Sequence, residues 1–405
     1  MKNDISKIFH LQAFRILDVA VNELSIEIDV SLKKKHLRCP RCGKPSRCCH
    51  QVGKPHLIKH QFWGEKVVCL KGQKNRWKCS RCGKPFTEQW PGVKKWSRKT
   101  EAAEFQIFDL LKGKSFRQLQ RENRITDREA RYLLSKVDIA PNWEEEKKQS
   151  VVRLGIDEHS FRGRNLVVTV TNLTQRRLKG ILPDDQQKSL KAWLQAIPDD
   201  IRAKVEEVCI DMKELFLAAI KQELPDASIV VDHFHVIQDA NRRFDEARRL
   251  EQEMQGRKYI GKRWWFLMGR ERLDKEHKDK LDLLLDRFPE LKTFYWFKEN
   301  LREFYRAKDK EEAAILFSRI ILNMECSDDA AINQWGRTLK HWRAYILNYF
   351  NHRTTNAYTE GANNKIKMIK RMSFGFRNVQ TYIRKMMIAF IPITLLGGLI
   401  WHTFC

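Results

Sequence analysis

The segment Val151-Val-Arg-Leu-Gly-Ile-Asp157-Glu158 is an apolar run that ends in a carboxylate, a pattern typical of a buried strand. Further along the chain, runs rich in Val, Ile and Thr predict more strands, and stretches with one apolar face predict helices. The strands are expected at 166–172, 176–182, 205–210 and 227–231, and the helices at 189–196 and 212–223.

The predicted order, β-β-β-α-β-α-β, is that of an RNase H-like α/β domain. Its first strand ends in Asp157 and its fourth in Asp211, while Asp232-His-Phe-His235 follows the fifth. Open sheets present their ligand groups at the ends of strands. The two aspartates are therefore expected at one edge of the sheet, as part of a candidate catalytic site.

The strand pattern stops after His235. Residues 238–340 are amphipathic and helical, too long for a plain loop, and predict a large helical insertion. In the segment 355–371 that follows, helical spacing places four polar side chains on one face: Glu360, Asn363, Asn364 and Lys367. Such a face suits a metal ligand backed by groups that hold nucleic-acid phosphates.

Near the N-terminus, Cys39-Pro-Arg-Cys42-Gly-Lys and Cys79-Ser-Arg-Cys82-Gly-Lys are near copies of each other. Each resembles a zinc knuckle, in which two nearby thiolates precede a glycine that lets the backbone turn back towards the metal. Four such sulfurs complete the tetrahedral set of one structural Zn²⁺. A zinc ribbon is therefore predicted, with short strands at 62–70 and 76–79 between the knuckles.

A pair of disulfides is the alternative use of these cysteines. It is disfavoured because the charged segment Met1–His10 is followed by no apolar core, so no secretion signal is expected. The extra thiols of Cys48, Cys49 and Cys69 are either further ligands or buried thiols.

The charge of the chain is concentrated in the same segment. The 405 residues include 77 Lys+Arg and 51 Asp+Glu, a formal charge of +26, and residues 31–100 hold 20 Lys+Arg against two acids, or +18 of it. This predicts a polyanionic partner, nucleic acid first and an anionic membrane second. Hydrophobic residues at 42% exclude a chain that is disordered throughout, and the length suits two or three domains.

A helix-turn-helix is predicted next. Residues 101–111 have a helical apolar face, and Ser115-x-x-Gln118 and Thr126-x-x-Glu129 resemble capping boxes that open two more helices. Arg128 and Arg131 near the start of the last helix suit reading of the major groove, although an ordinary three-helix packing unit has the same pattern. The residues expected to contact DNA are Lys94, Lys95, Arg98, Lys99, Arg128, Arg131, Lys370 and Arg371.

In order along residues 39–378, these motifs resemble the ISL3 family of insertion-sequence transposases. The matching pieces are the Cys-Pro-x-Cys-Gly ribbon, Leu154-Gly-Ile-Asp157-Glu158, Cys209-Ile-Asp211-Met212, Pro225-Asp-Ala-x-Ile-Val-Val-Asp232-x-Phe-His235 and Asn356-x-x-x-Glu360-Gly-x-Asn-Asn-Lys-Ile-Lys.

The resemblance implies DDE-type DNA transposition with an acidic triad at Asp157, Asp211 and Glu360. Three carboxylates would hold two Mg²⁺ (or Mn²⁺) ions for phosphodiester cleavage and strand transfer. The candidate accessory residues are Asp232, His235, Asn363, Asn364 and Lys367.

Alternatives remain at three positions. Asp232 competes with Asp211 as the second ligand. Glu158 competes with Asp157, but on a strand its side chain points to the opposite face. His235 either orients a group of the site or packs the fifth strand.

The resemblance also implies the partners: double-stranded DNA, as terminal inverted repeats and as target, and a homodimer or higher multimer that pairs two ends. The expected location is the bacterial cytoplasm, associated with the nucleoid, without a stable membrane partner. The alternative from another class is a catalytically inactive, transposase-derived DNA-binding protein.

The expected division assigns a zinc-ribbon DNA-binding module, a helix-turn-helix, a linker, two parts of an RNase H-like core around an insertion, and an apolar tail. The ranges in chain order are 1–95, 96–140, 141–150, 151–237, 238–345 (insertion), 346–385 and 386–405. The tail has no charged residue, and packing on the catalytic domain is favoured over a membrane span or an altered end.

Overall fold

A computed structural model of the chain describes residues 2–34, 36–256 and 260–391. The chain forms two compact units. The first unit comprises Met1–Ile139 and Ile366–Cys405, and the second comprises Ala140–Lys365. Both contain helices and sheets, so the α/β class is confirmed at the level of a mixed α/β protein.

The strands are Phe14–Val21 (β1), Ser25–Leu32 (β2), Leu37–Arg38 (β3), Pro45–Ser46 (β4), Cys48–Gln51 (β5), Pro55–Trp63 (β6), Lys66–Gln73 (β7), Arg76–Lys78 (β8), Pro85–Thr87 (β9), Val152–Arg162 (β10), Asn165–Asn172 (β11), Arg177–Leu182 (β12), Val205–Ile210 (β13) and Ser228–Val231 (β14).

The helices are Lys2–Ile8 (α1), Glu101–Gly113 (α2), Phe116–Asn123 (α3), Asp127–Ser135 (α4), Glu144–Lys147 (α5), Gln187–Gln195 (α6), Asp199–Arg202 (α7), Glu214–Glu223 (α8), His233–Met254 (α9), Arg263–Leu267 (α10), Lys275–Arg287 (α11), Pro289–Phe304 (α12), Lys310–Glu325 (α13), Ala330–His341 (α14), Arg343–Leu347 (α15), Tyr349–His352 (α16), Ala357–Met372 (α17) and Val379–Phe390 (α18), with a 3₁₀ turn at Arg270–Arg272.

In the first unit, a four-stranded sheet has the order β1-β2-β7-β6, with β2 and β7 parallel and the outer pairs antiparallel. Its core includes Ile28, Val68 and Trp90, which are almost fully buried. The single strand expected at 62–70 is wrong: Gly64, with φ +57°, turns the chain between β6 and β7, so this stretch is a hairpin.

Three helices follow the sheet at the predicted places. The Ser115–Gln118 pair forms a complete capping box at the start of α3. At the start of α4, the Thr126 hydroxyl accepts the Glu129 N–H, whereas the Glu129 carboxylate pairs with Lys99 at 2.6 Å. Of the two bonds of the second capping box, the one from the Glu129 N–H to the Thr126 hydroxyl therefore forms, while the Glu129 side chain is used by Lys99 instead.

Helix α18 packs on this helical group. Ile388 is fully buried with Ile107, Leu111 and Leu133 of α2 and α4. The described start of the apolar tail therefore lies against the first unit, and packing on the catalytic domain is wrong for it; Ile391 is its last described residue, so 392–405 lie outside the described range. Across residues 2–34, 36–256 and 260–391, no helix combines the length and the apolarity needed to cross a membrane.

The second unit is built on a five-stranded sheet of order β12-β11-β10-β13-β14. The first three strands in this order are antiparallel, whereas β10, β13 and β14 run parallel. The parallel strands are almost continuously buried because α6 and α8 cover the sheet. Helices α9 to α14 extend the same core with aromatic residues, in agreement with the predicted helical stretch at 238–340.

Two expectations are corrected in this unit. Strand β10 does not end at Asp157 but continues to Arg162, because its antiparallel pairing with β11 runs up to a turn at Gly163, where φ is +56°. The expected linker at 141–150 packs on the unit: Trp143 is buried and Glu146, in α5, pairs with Lys179 at 2.8 Å. The segment is anchored by the single apolar side chain of Trp143, and one apolar residue creates no periodic pattern from which packing could be predicted.

Candidate active site and cysteine cluster

Asp157 lies in the middle of the sheet, on the strand at which parallel and antiparallel pairing meet. Its carboxylate is 8% exposed. The Asn363 amide donates to Oδ2 at 2.7 Å, and the Glu158 backbone N–H donates to Oδ1 at 2.7 Å. Both oxygens are therefore oriented by fixed donors.

Asp211 and His235 join Asp157. Gly155 of β10 pairs with Cys209 of the parallel strand β13, so the residues two positions further along the two strands lie side by side. His235, in the first turn of α9, places Nε2 at 2.8 Å from Asp211 Oδ1. One ligand atom from each of the three residues lies within 4.8 Å of the other two.

The electrostatics of this group are those of a crowded acidic site. Burial, followed by the charge of Asp211, raises the pKa of Asp157 to about 6. Burial alone would lower the pKa of His235, but the Asp211 and Asp157 carboxylates outweigh burial and raise it. The group thus favours a cation among its carboxylates.

Helix α17 is seated on the sheet by polar contacts. Asn356 donates to the Ile156 carbonyl at 2.9 Å, and the Thr359 and Thr171 hydroxyls lie 2.7 Å apart. Gly155 makes this approach possible, because a Cβ there would lie 2.3 Å from the Thr359 hydroxyl oxygen. These contacts place the start of the helix on β10 and β11, and Asp211 follows the next strand, β13.

The polar face predicted on α17 divides into different environments. Asn363 is buried, whereas Asn364 and Lys367 are exposed. Glu360 is half-buried, one helical turn before Asn363, and is not a member of the group of three.

The two competing carboxylates have other partners. Asp232 is buried as the N-cap of α9, where it accepts from the Phe234 N–H at 3.4 Å and lies 3.3 Å from the His233 ring. Glu158 turns away from Asp157 and forms an ion pair with Lys213, which also pairs with Asp185 at 2.9 Å.

Sequence reasoning missed the residues that position the site. The Thr169 hydroxyl donates to Asn363 Oδ1 at 2.6 Å and so orients the amide towards Asp157. Threonines 169 and 171 alternate on one face of a strand that is otherwise apolar, and this was the available signal. Lys213 and Asp185 carried no pattern that would have connected them to Glu158.

The residues present fit a divalent metal ion. Asp211 Oδ1 is a buried oxygen that accepts no hydrogen bond from the described residues, and its near neighbour is the His235 Nε2 atom, an ion-pair partner at 2.8 Å. Carboxylate oxygens are the ligands that Mg²⁺ and Mn²⁺ prefer, and imidazole also suits transition metals.

The second metal-type group lies in the first unit and consists of Cys39, Cys42, Cys79 and Cys82. The sulfur of Cys39 lies 3.8 Å from that of Cys82, and the sulfur of Cys42 lies 3.5 Å from that of Cys79. A disulfide has a sulfur–sulfur bond of about 2.05 Å. The four thiols are therefore free, and the disulfide alternative is wrong.

The backbone repeats the same knuckle twice. Gly43 N–H donates to the Cys39 carbonyl at 2.9 Å, and Gly83 N–H donates to the Cys79 carbonyl at 3.0 Å, with φ of +71° and +66° at the glycines. The sulfur separations match the edge of about 3.8 Å expected for a tetrahedron with Zn–S bonds near 2.3 Å. The donor set therefore fits Zn²⁺.

The thiols differ in how readily they ionise: the Lys44 N–H alone would lower the pKa of Cys42, but the neighbouring Cys79 thiol outweighs it and the pKa of Cys42 rises to about 11. Backbone N–H groups, that of Cys82 first, lower the pKa of Cys79 to about 6. Cys48 and Cys49 are exposed, Cys69 is buried, and none of them belongs to the group of four.

Some of the basic residues expected to contact DNA form ion pairs with acids of the protein itself. Lys94 pairs with Glu104 at 2.8 Å, Lys99 with Glu129 at 2.6 Å, and Arg131 with Asp127 at 2.7 Å. Arg131 is nevertheless exposed, as are Lys95, Arg98, Arg128 and Arg371, and Lys370 is half-buried.

Comparison with known proteins adds to this geometry. The profile of the ISL3 transposase family, described as a transposase, matches residues 154–386, a range that contains the whole carboxylate group. The transposase of insertion sequence element IS1001 from Bordetella parapertussis is 25% identical over 364 residues, which cover 88% of this chain and 89% of that protein. The transposase of IS1557 from Mycobacterium tuberculosis is 24% identical over 393 residues, covering 89% and 86%. The family match spans more than half of the chain, and the chain therefore belongs to the ISL3 family of insertion-sequence transposases.

Proposed function

We propose that this transposase acts by the DDE route, with Asp157, Asp211 and Glu360 holding two Mg²⁺ (or Mn²⁺) ions. Its substrates are the terminal inverted repeats of its own element and the target DNA. The observation that supports this best is the convergence of Asp157 and Asp211, from parallel strands, to within 4.8 Å.

Each residue has a distinct part. Asp157 presents oxygens that Asn363 and the Glu158 N–H orient, and Asp211 presents the buried Oδ1. Helical spacing puts Glu360 on the side of α17 that carries Asn363. Bound divalent ions would activate water or a DNA 3′-hydroxyl and stabilise the leaving oxygen. His235, with Nε2 2.8 Å from Asp211 Oδ1, balances the charge of the carboxylates and is a positioning residue in this proposal.

The sheet supports an RNase H-like core. Three antiparallel strands followed by two parallel ones give the order β12-β11-β10-β13-β14. Asp157 lies on the central strand β10, and Asp211 directly follows the neighbouring strand β13. The two parts of the core are residues 151–237 and 346–385, and residues 238–345 form the insertion. This division is part of the proposal.

The first unit carries the DNA-binding function in this proposal. The four cysteines hold one structural Zn²⁺ in the module 1–95, and residues 96–140 form a helix-turn-helix. Exposed cations such as Lys95, Arg98 and Arg128 contact phosphates or bases. The protein pairs two DNA ends as a dimer or larger multimer, on DNA in the bacterial cytoplasm.

The test is cleavage of DNA that carries the ends of the element flanking this gene, with Mg²⁺ present. Asp157→Asn is expected to lower the rate on the order of 10³-fold or more, because metal stabilisation contributes several kcal/mol. Asp199→Asn is the matched control, since Asp199 is fully exposed on α7 and away from the sheet edge.

Equal cleavage by the Asp157→Asn protein would contradict the assignment. Binding of the same DNA without cleavage by the unchanged protein, in Mg²⁺ and in Mn²⁺, would favour the inactive DNA-binding alternative instead.

A further inference from the structure

Two aromatic side chains of the first unit are exposed to solvent on backbone conformations that favour glycine. Trp96 has φ +66° and is 89% exposed, and Phe374 has φ +56° and is 85% exposed. In this region the Cβ atom crowds the backbone, so bulky residues there are rare. An exposed ring on a strained backbone contributes nothing to the core, which makes a ligand its most direct explanation.

The backbone around Trp96 is fixed. The Ser97 N–H donates to the Lys94 carbonyl at 3.0 Å, which closes a turn with Trp96 at its third position. A positive φ at that position is ordinarily met by Gly or Asn. Immediately after the turn, the Arg98 carbonyl accepts the Lys59 N–H of β6 at 3.0 Å. The ring is thus carried by a turn that is tied to the sheet.

The backbone around Phe374, just after the end of α17, is also fixed by hydrogen bonds. Gly375 N–H donates to the Lys370 carbonyl at 3.2 Å, and Phe374 N–H donates to the Arg371 carbonyl at 3.0 Å. These are the two bonds of a Schellman motif, whose left-handed residue is usually glycine. Here that residue is Phe374, although a glycine follows it directly.

Cations accompany both rings. The Lys95 ammonium lies 5.6 Å from the centre of the Trp96 ring. Arg371 and Arg377, three residues before and after Phe374 in the chain, are exposed. Cations of this kind draw a phosphate backbone close, and a ring next to that backbone meets nucleobases, whose flat faces stack on aromatic side chains regardless of sequence.

We propose that Trp96 and Phe374 are stacking tips for unpaired nucleobases. In a continuous duplex the faces of a base are covered by its neighbours, so a ring finds a free face only where the helix is opened, kinked or single-stranded. The inference rests on the proposed action on DNA and gives its ligand a chemical class: distorted DNA with exposed bases.

The test measures binding by the full-length protein, by fluorescence anisotropy, to a duplex of arbitrary sequence and to the same duplex with a short central bubble. The unchanged protein is expected to prefer the bubble. Trp96→Ala and Phe374→Ala are each expected to weaken bubble binding by about 10-fold, the effect of losing one stacked base, and to leave binding to the paired duplex unchanged. Trp96→Phe should retain most of the preference.

Two further variants separate stacking from folding and from charge. Trp96→Gly removes the ring and suits the positive φ, so its melting temperature should be at least that of the unchanged protein while the bubble preference falls. Lys95→Ala should weaken binding to both DNAs alike and reduce the salt dependence.

Several results would overturn the inference. If Trp96→Ala weakened binding to both DNAs equally, Trp96 would be a backbone contact, and if both alanine variants kept the full preference, neither ring would stack. Tight binding of the paired duplex without preference for the bubble would overturn the stacking tips alone. Absence of DNA binding by the unchanged protein would overturn the proposed function and this inference together.

Discussion

The two groups of candidate metal ligands are built in opposite ways. The four cysteines come from two short knuckles, each with its own glycine turn, and a bound metal would join one knuckle to the other. The carboxylates Asp157 and Asp211 come from neighbouring strands of a sheet that is already complete, and burial makes their proximity unfavourable without a cation. In the proposed roles, the cysteine cluster stabilises its fold by binding zinc, whereas the carboxylate group lowers stability and is kept for catalysis.

The largest expected effect is on the cysteine side. A Cys39→Ser/Cys82→Ser protein loses one ligand from each knuckle, and structural zinc contributes about 10 kcal/mol to the folding of such modules. We expect bound zinc to fall from one per chain to none and the segment around β3 to β9 to become protease-sensitive.

Metal analysis and limited proteolysis measure this. Cys48→Ser/Cys49→Ser, which removes two exposed thiols outside the group of four, should keep both zinc and resistance. If the Cys39→Ser/Cys82→Ser protein kept one zinc per chain, the four cysteines would not be the zinc site.

The carboxylate side should respond in the opposite direction. The pKa of Asp157 is raised to about 6 in the folded protein, against an ordinary value near 3.9, so the cost of ionisation to the fold is absent well below pH 4, grows between pH 4 and pH 6, and is complete above pH 6. The amide of Asp157→Asn turns its NH2 group towards one of the two donors at every pH, so that effect cancels when two pH values are compared. The stability of Asp157→Asn relative to the unchanged protein should therefore be about 2–3 kcal/mol more favourable at pH 8 than at pH 4.

Thermal melts at the two pH values, without added divalent metal, measure this effect. Asp199→Asn should change neither melt, because Asp199 is exposed. If Asp157→Asn had the same or a less favourable relative stability at pH 8 than at pH 4, the ionised carboxylate would not be a cost to the fold.

The smallest effect concerns the amide that orients Asp157. Asn363→Ala removes the 2.7 Å hydrogen bond to Oδ2, and partners of this kind typically change metal affinity by about 10- to 100-fold. Calorimetric titration with Mn²⁺ at pH 8 should show this weakening. Asn300→Ala, a half-buried asparagine of α12 whose amide donates to the Trp296 carbonyl of the same helix, should bind Mn²⁺ as the unchanged protein does. Equal affinities in all three proteins would remove Asn363 from the site.

The same contrast explains what could be predicted from the sequence. The cysteine knuckles are local, so spacing alone identified all four members of the group. Asp157 and Asp211 were found because each comes at the end of an apolar run that predicts a strand. His235 was found because it closely follows a third such run. The contacts of Thr169 and Thr359 could not be predicted, since they depend on how closely α17 approaches Gly155, a distance that no local pattern encodes. Most of the sheet β1-β2-β7-β6 escaped prediction because its strands are partly exposed and interrupted by charged residues.

The central claim is that Asp157 binds the catalytic divalent ion directly. The most direct measurement is DNA cleavage by an Asp157→Cys protein in Mg²⁺ and in Mn²⁺, because Mg²⁺ avoids sulfur ligands whereas Mn²⁺ accepts them more readily. We predict that the variant is inactive in Mg²⁺ and recovers cleavage in Mn²⁺, while the unchanged protein is active in both. Cleavage by Asp157→Cys in Mg²⁺ at the rate of the unchanged protein would contradict the account.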